Sequence, residues 1–172
     1  MVETVLAPAT ALAHAPVDLP SRRVRLTPLA EGHVLQVVAR HGATVPAERL
    51  AALGDGGSHA VRPNGPGQWL LVGDAALSFD EGRARAAAIT DLAHVFDQSH
   101  GRLRIGLDGP GAEDLLATGI GVDLTRAAFP VGASANALFR HVSVHLTRTG
   151  ADAFELVVPR SFAADLWHEL GA

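Results

Sequence analysis

The stretch FDQSHGRLRIGLDGPGAEDLLATG, Phe96–Gly119, decides how the chain is read. Leu103, Ile105 and Leu107 alternate with Arg102, Arg104 and Gly106, the period of a half-buried strand. Gly109 and Pro110 then open a helix, proline being tolerated where a missing N–H has no partner. Leu115 and Leu116 face inward, and Gly119 ends the helix. A strand that turns through Gly-Pro into an amphipathic helix is one half of a split βαβ unit. Just before it, Asp97, Ser99 and His100 place an acid, a hydroxyl and an imidazole within four residues.

Downstream, GIGVDLTRAAFPVGASANA reads as a long connection. FRHVSVHLTRT and AFELVVPR form a hairpin around GAD, and Ser161 caps a last helix with Phe162, Leu166 and Leu170 on one stripe. Upstream, HVLQVVAR is a strand and VPAERLAAL a short helix or loop. SHAVRP and QWLLVG make a hairpin around the turn NGPG. SFDEGRARAAAITDLA is a helix, opened by the capping box of Ser78 and Glu81, with Ala84, Ala88 and Leu92 on one face. GQWLLVGDAALSFDEGRARAAAI and DAFELVVPRSFAADLWHEL repeat the same strand–connector–helix plan. The fold expected is therefore α+β: two split-βαβ (ferredoxin-like) lobes, about 33–95 and 96–172, in one domain spanning 21–172. The segment 1–20 reads as a flexible N-terminal tail. It carries Pro8 and Pro16 and lacks the basic start of a signal peptide.

Composition excludes several chemistries. All 14 basic residues are Arg, which removes Schiff-base lysines and the lysine of a phosphate loop. They are scattered along a chain of net charge −4, so no nucleic-acid surface is expected. There is no Cys, hence no thiolate chemistry or disulfide. No apolar run reaches membrane-spanning length.

The candidate sites each have a plain structural reading. A Ser-His-Asp triad needs the hydroxyl on one imidazole nitrogen and the carboxylate on the other. On an extended segment Ser99 and His100 diverge, so Asp97, Ser99 and His100 are expected to cap the loop that enters the strand. GASAN, Gly132–Asn136, is not a nucleophile elbow. His141 and His145 lie in a strand pattern whose buried face is Val142, Val144 and Leu146. Four residues apart in a strand they start about 13 Å from one another, too far to share a zinc ion with ligand bonds of about 2 Å. His14, His33, His41, His59, His94 and His168 show no ligand spacing. GDGGSH and GPG are tight turns rather than phosphate cradles, and Trp69 and Trp167 are packing residues. No catalytic, cofactor-binding or metal residue is assigned.

Several segments together resemble a known superfamily. FDQSHGRLRIGLDGPGAEDLLATGIGVDL is similar to the D-x-S-H segment, strand, GPxA turn and helix of the aminomethyltransferases (glycine-cleavage T-protein). The match is more specific to the gamma subunit family of heterotetrameric sarcosine oxidase, through GPGQWLLVG, DQSHGRLRIGLDGPGAEDLLATG, DLTRAAFPVG and FELVVPRSFAADLW, in order from about Val34 to Leu170. The resemblance implies a fragment of the T-protein folate-binding fold and a non-catalytic structural role. The implied complex demethylates sarcosine oxidatively to glycine, passing the one-carbon unit to tetrahydrofolate or releasing it as formaldehyde, and forming hydrogen peroxide.

By the same resemblance FAD, FMN, NAD and tetrahydrofolate lie on other subunits. The partners are the alpha, beta and delta subunits, in the cytoplasm, with no nucleic acid or membrane. The aminomethyltransferases carry an acidic turn before the strand that matches HVSVHL. ANALFRHVSV has Phe139, Arg140 and His141 there and no carboxylate. The alternatives are a stand-alone folate-binding or one-carbon-transfer protein, and a gamma-like subunit of a related N-methyl amino-acid demethylase.

Overall fold

The computed structural model describes Leu12, residues 14–57 and residues 59–171. Among these residues ten strands and four short helices follow one another as β1 (Val17–Leu19), β2 (Val24–Pro28), β3 (His33–Ala39), α1 (Ala47–Ala51), β4 (Val61–Gly65), β5 (Gln68–Gly73), α2 (Phe79–Ala88), β6 (Ala93–Asp97), β7 (Arg102–Asp108), α3 (Ala112–Ala117), β8 (Ser134–Phe139), β9 (Val142–Gly150), β10 (Ala153–Pro159) and α4 (Ala163–Glu169). They build two antiparallel sheets: a small one ordered β4-β5-β3-β6 and a large one ordered β1-β2-β7-β10-β9-β8.

The small sheet is a split βαβ pair. β5 lies antiparallel between β3 and β4, and β6 flanks β3. The large sheet repeats this pattern in β2-β7-β10-β9, but β2 from the N-terminal side takes the flanking place that β6 holds in the small sheet. β1 and β8 are additions at its edges. Strand β1 falls inside the stretch 1–20 read as a tail; residues 1–11 and 13 of that stretch lie outside the described residues.

Each sheet buries one face under helices. On the small sheet Leu35, Val37 and Leu71 meet Leu50 and Ile89. On the large sheet the alternation in β7, β9 and β10 puts Leu103, Ile105, Leu107, Val142, Val144 and Leu156 against Leu115, Leu116, Leu166 and Trp167. Burying side chains of this kind contributes about 1.5–3 kcal/mol each. The other two faces meet one another: Val34, Leu70 and Val72 of the small sheet pack on Val157 of β10. The layers thus run helix, sheet, sheet, helix.

That inner contact corrects the reading of β7 as half-buried. Arg104 and Gly106 are buried along with Leu103, Ile105 and Leu107, because the second sheet replaces solvent on that face. Other local readings also shift. Pro110 does not open α3; the helix starts at Ala112 after the N-cap Gly111. Gly111 and Gly109 are needed for another reason: a Cβ at either would meet the carbonyl oxygen of Arg22 or Arg23 at 1.8 or 2.3 Å. The long connection 119–137 ends in a strand, β8, so β9 starts only at Val142 and Arg140–His141 forms the turn between them.

The capping box of α2 forms as expected, with Glu81 N–H donating to Ser78 Oγ. The helix stops at Ala88, however, and Ala84 and Ala88 are exposed. In α4 a turn of 3₁₀ helix, Arg160–Phe162, precedes the α-helix, and Ser161 makes no cap. The buried stripe is Ala163, Leu166, Trp167 and Leu170, while Phe162 is exposed.

Candidate functional site

The acid–hydroxyl–imidazole segment lies where β6 of the small sheet passes to β7 of the large one. Residues 99–101 form a single 3₁₀ turn rather than an extended run. The turn is fixed from both sides. Ser99 N–H donates to Asp97 Oδ1 at 2.8 Å, and Ser99 Oγ accepts from Val34 N–H at 3.1 Å. Val34 sits at the start of β3, so the hydroxyl stitches the crossover to the neighbouring strand. Partial burial pushes the Asp97 carboxyl up, but hydrogen bonds from Ser99, with His100 and His33 nearby, outweigh it and hold the group below the usual range. His100 is exposed, and among the described residues no hydrogen bond joins it to Ser99. Ser99 is thus bonded to the Val34 amide and to Asp97, without the imidazole contact of a Ser-His-Asp arrangement.

Beside this turn, between α2 and β6, lies a cleft of about 410 Å³. Leu35, Leu77, Phe79, Ala86 and Val95 give it apolar walls, and Asp97, His100 and Arg83 stand at its rim. α2, which forms one wall, buries none of its residues.

The structure separates His141 from His145. His141 is in the β8–β9 turn, largely exposed, with Nδ1 3.3 Å from Glu169 Oε1. His145 is buried on the inner face, neither solvated nor at an external interface. Its Nε2 donates to Pro63 O at 2.9 Å, bridging β9 to β4. Burial, reinforced by Arg62 and Arg102, pushes this imidazole below its usual value despite the bond to Pro63 and the field of Glu155. His59 and His33 make comparable links, to Thr149 O at 3.0 Å and Ala75 O at 2.7 Å.

A charged cluster that motif reading did not find sits at the centre of the inner contact. Glu155 Oε2 accepts from Arg62 Nη2 at 2.8 Å, and Oε1 accepts from Arg104 Nε at 2.7 Å. Arg104 Nη1 also reaches Asp74 Oδ1 at 2.7 Å. All three of Arg62, Arg104 and Glu155 are buried. Burial raises the carboxyl of Glu155, but hydrogen bonds from the two guanidiniums more than offset this and leave it lowered. Arg148 is buried in the large sheet, over the Phe154 ring at 4.3 Å, and bonds Glu113, Ala151 O and Leu124 O. The signal available in sequence was a lone Glu in FELVV and an Arg between apolar residues in RLRIGL. Such charges on a strand of a two-sheet protein mark an inner face as readily as a wet one.

The remaining candidates are dispersed. In GDGGSH, Asp55 Oδ1 accepts from Gly57 N–H at 2.9 Å, an Asx turn. GPG supplies the positive-φ Gly65 and Gly67 of the β4–β5 hairpin. Trp167 is buried and stacks on His14 with 5.6 Å between ring centres, and Trp69 packs at the edge of the small sheet's core. Ser134 of GASAN bonds Thr147 at 2.9 Å. Among the described residues no three His, Asp or Glu side chains converge on a metal position.

Paired split-βαβ sheets under flanking helices are the architecture of the aminomethyltransferase type. The solved glycine cleavage system aminomethyltransferase T from Bartonella henselae is similar over 86% of this chain and 45% of its own, with a TM-score of 0.59 and 15% identity. The solved heterotetrameric sarcosine oxidase from Corynebacterium sp. U-96, in complex with pyrrole 2-carboxylate, contains a chain similar over 95% of this one and 92% of its own, with a TM-score of 0.77 and 22% identity. The model of the sarcosine oxidase, gamma subunit family matches residues 34–171, and the chain belongs to that family. A search of curated proteins found no match.

Proposed function

We propose that this chain is a non-catalytic accessory subunit of a heterotetrameric sarcosine oxidase, assembling with alpha, beta and delta subunits in the cytoplasm. In that complex sarcosine is demethylated oxidatively to glycine, the one-carbon unit passes to tetrahydrofolate or leaves as formaldehyde, and oxygen becomes hydrogen peroxide. FAD, FMN, NAD and tetrahydrofolate belong to the other subunits. The family match over residues 34–171 carries this reading. Two features support the non-catalytic part. Ser99 and Asp97 are consumed in fixing the turn, and the space between the sheets is occupied by Val157, His145 and the Arg62–Glu155–Arg104 cluster.

The experiment is co-expression with the other subunits, followed by sarcosine turnover and by titration of tetrahydrofolate into the isolated chain. Co-purification in one complex that turns over sarcosine, with no folate binding by the chain alone, is expected. Tetrahydrofolate binding by the lone chain would move the assignment to a one-carbon-transfer protein. Assembly with turnover of a different N-methyl amino acid would move it to a related demethylase.

A further inference from the structure

Two sheets present four edges, and among the described residues three are protected. β1 is three residues long, β4 carries Pro63 and a register irregularity beside it, and β8 is tied across to β4 by Asn136 Nδ2 donating to Asn64 O at 2.9 Å. Among the described residues the outer edge of β6 has no such device: it lies at the end of the small sheet, paired there with β3 alone. Its register shows which groups are free. Gln98 N–H donates to Val34 O and Arg40 N–H to Leu92 O, so 34/98 and 40/92 are hydrogen-bonded pairs. By alternation 36/96 and 38/94 are too, which turns the N–H and C=O of Val95 and Asp97 outward. Both faces of this edge are sticky. Phe96 is 51% exposed on the inner-face side, and on the helix side the apolar cleft opens beside Val95 under the 79% exposed Phe79.

We propose that β6 is the docking edge for another subunit of the complex, which adds an extended segment as a fifth strand to the small sheet. The inference rests on the proposed subunit role. Side chains of an added strand alternate, so every second one enters the cleft under α2. The cleft specifies what they are. Leu35, Val95 and Ala86 take an apolar residue. Arg83, which has no carboxylate within ion-pair distance among the described residues and lies 5.8 Å from the Phe79 ring, takes an acidic residue two positions away. The segment recognised is therefore extended, with an apolar and an acidic residue at i and i+2.

Gly82 provides the test. It sits on α2 facing the cleft, and a Cβ there meets nothing within 4 Å. Gly82→Phe fills the cleft while replacing a poor helix former, so the free chain should melt at or above the wild-type temperature. Affinity for the remaining subunits should fall at least tenfold, and Arg83→Glu should weaken it similarly. In wild type the Val95 and Asp97 amides should exchange freely in the isolated chain and gain at least tenfold protection on assembly. Assembly with unchanged affinity in Gly82→Phe, or with Val95 and Asp97 unprotected, overturns the docking edge and leaves the subunit role standing. Protection of β6 through self-association of this chain also overturns it. Failure of the wild-type chain to join the complex overturns both.

Discussion

The outer and inner faces of the sheets obey the same alternation and yet differ in how much charge they bury. The outer faces, under the helices, are mostly apolar: Leu103, Ile105 and Leu107 on β7, Val142, Val144 and Leu146 on β9, with buried Arg148 at the end of β9 paired to Glu113 of α3. Beside Val34, Leu70, Val72 and Val157, the inner faces carry Arg104, His145 and Thr147 from the same strands and Glu155 from β10, and these are buried too. The outer faces obtain their stability from non-directional burial. The inner contact obtains its geometry from bonds that must be matched one by one, such as Glu155 between two guanidiniums or His145 on Pro63 O. Polar residues at alternate positions do not by themselves mean water; they can mean a second sheet.

Substitution on the outer face should produce the largest effect. Ile105→Asp or Val144→Asp would leave an unpaired charge in the aliphatic core, a penalty of several kcal/mol in a domain of marginal stability. No soluble folded protein is expected; recovery of either variant with a wild-type melting temperature would contradict the assigned faces. On the inner face Glu155→Ala strands the buried Arg62 guanidinium and leaves Arg104 with Asp74 alone, and should cost about 3–5 kcal/mol by chemical denaturation. The contrast sharpens with Arg62→Met, Glu155→Leu and Arg104→Leu combined, which should recover most of that loss, because well-packed apolar groups can replace a buried ion cluster. No such rescue exists for the outer-face aspartates.

A pH titration probes the inner face more gently. His145 is held neutral, its folded value lying below the ordinary 6.5. Above that ordinary value both folded and unfolded chains are neutral at this position and nothing is lost. As pH falls through it the unfolded chain takes the proton first, so stability declines until the folded value is passed. Denaturation midpoints between pH 8 and 5 should drop more in wild type than in His145→Gln, which keeps a donor for Pro63 O. Parallel slopes would mean that His145 is not buried as a neutral ring. Ser99→Ala removes one hydrogen bond at the crossover and should cost about 1 kcal/mol in thermal unfolding, the smallest of these effects.

The parts of the molecule legible in sequence were those decided locally. The alternation of Leu103, Ile105 and Leu107, the capping box of Ser78 and Glu81, and the hairpin turns were all visible, because each is fixed by residues within one element. The pairing of β2 with β7, the extra strand β8, and the contact of Glu155 with Arg62 over 93 positions depend on distant segments that carry no motif. The site was legible in the same limited sense. Asp97, Ser99 and His100 could be singled out by type, but the partner that decides the role of Ser99 is the amide of Val34, 65 positions away. The premise of an extended segment there was wrong, since the backbone turns through a 3₁₀ step.

The claim that this subunit supplies structure rather than chemistry is tested most directly by sarcosine turnover of the assembled complex carrying Ser99→Ala, His100→Ala or His141→Ala, normalised to the concentration of intact complex. Each variant is expected to stay within a few-fold of wild type. A normalised loss of about 100-fold to 10,000-fold, the contribution typical of a general acid or base, would contradict the account and place a catalytic group in this chain.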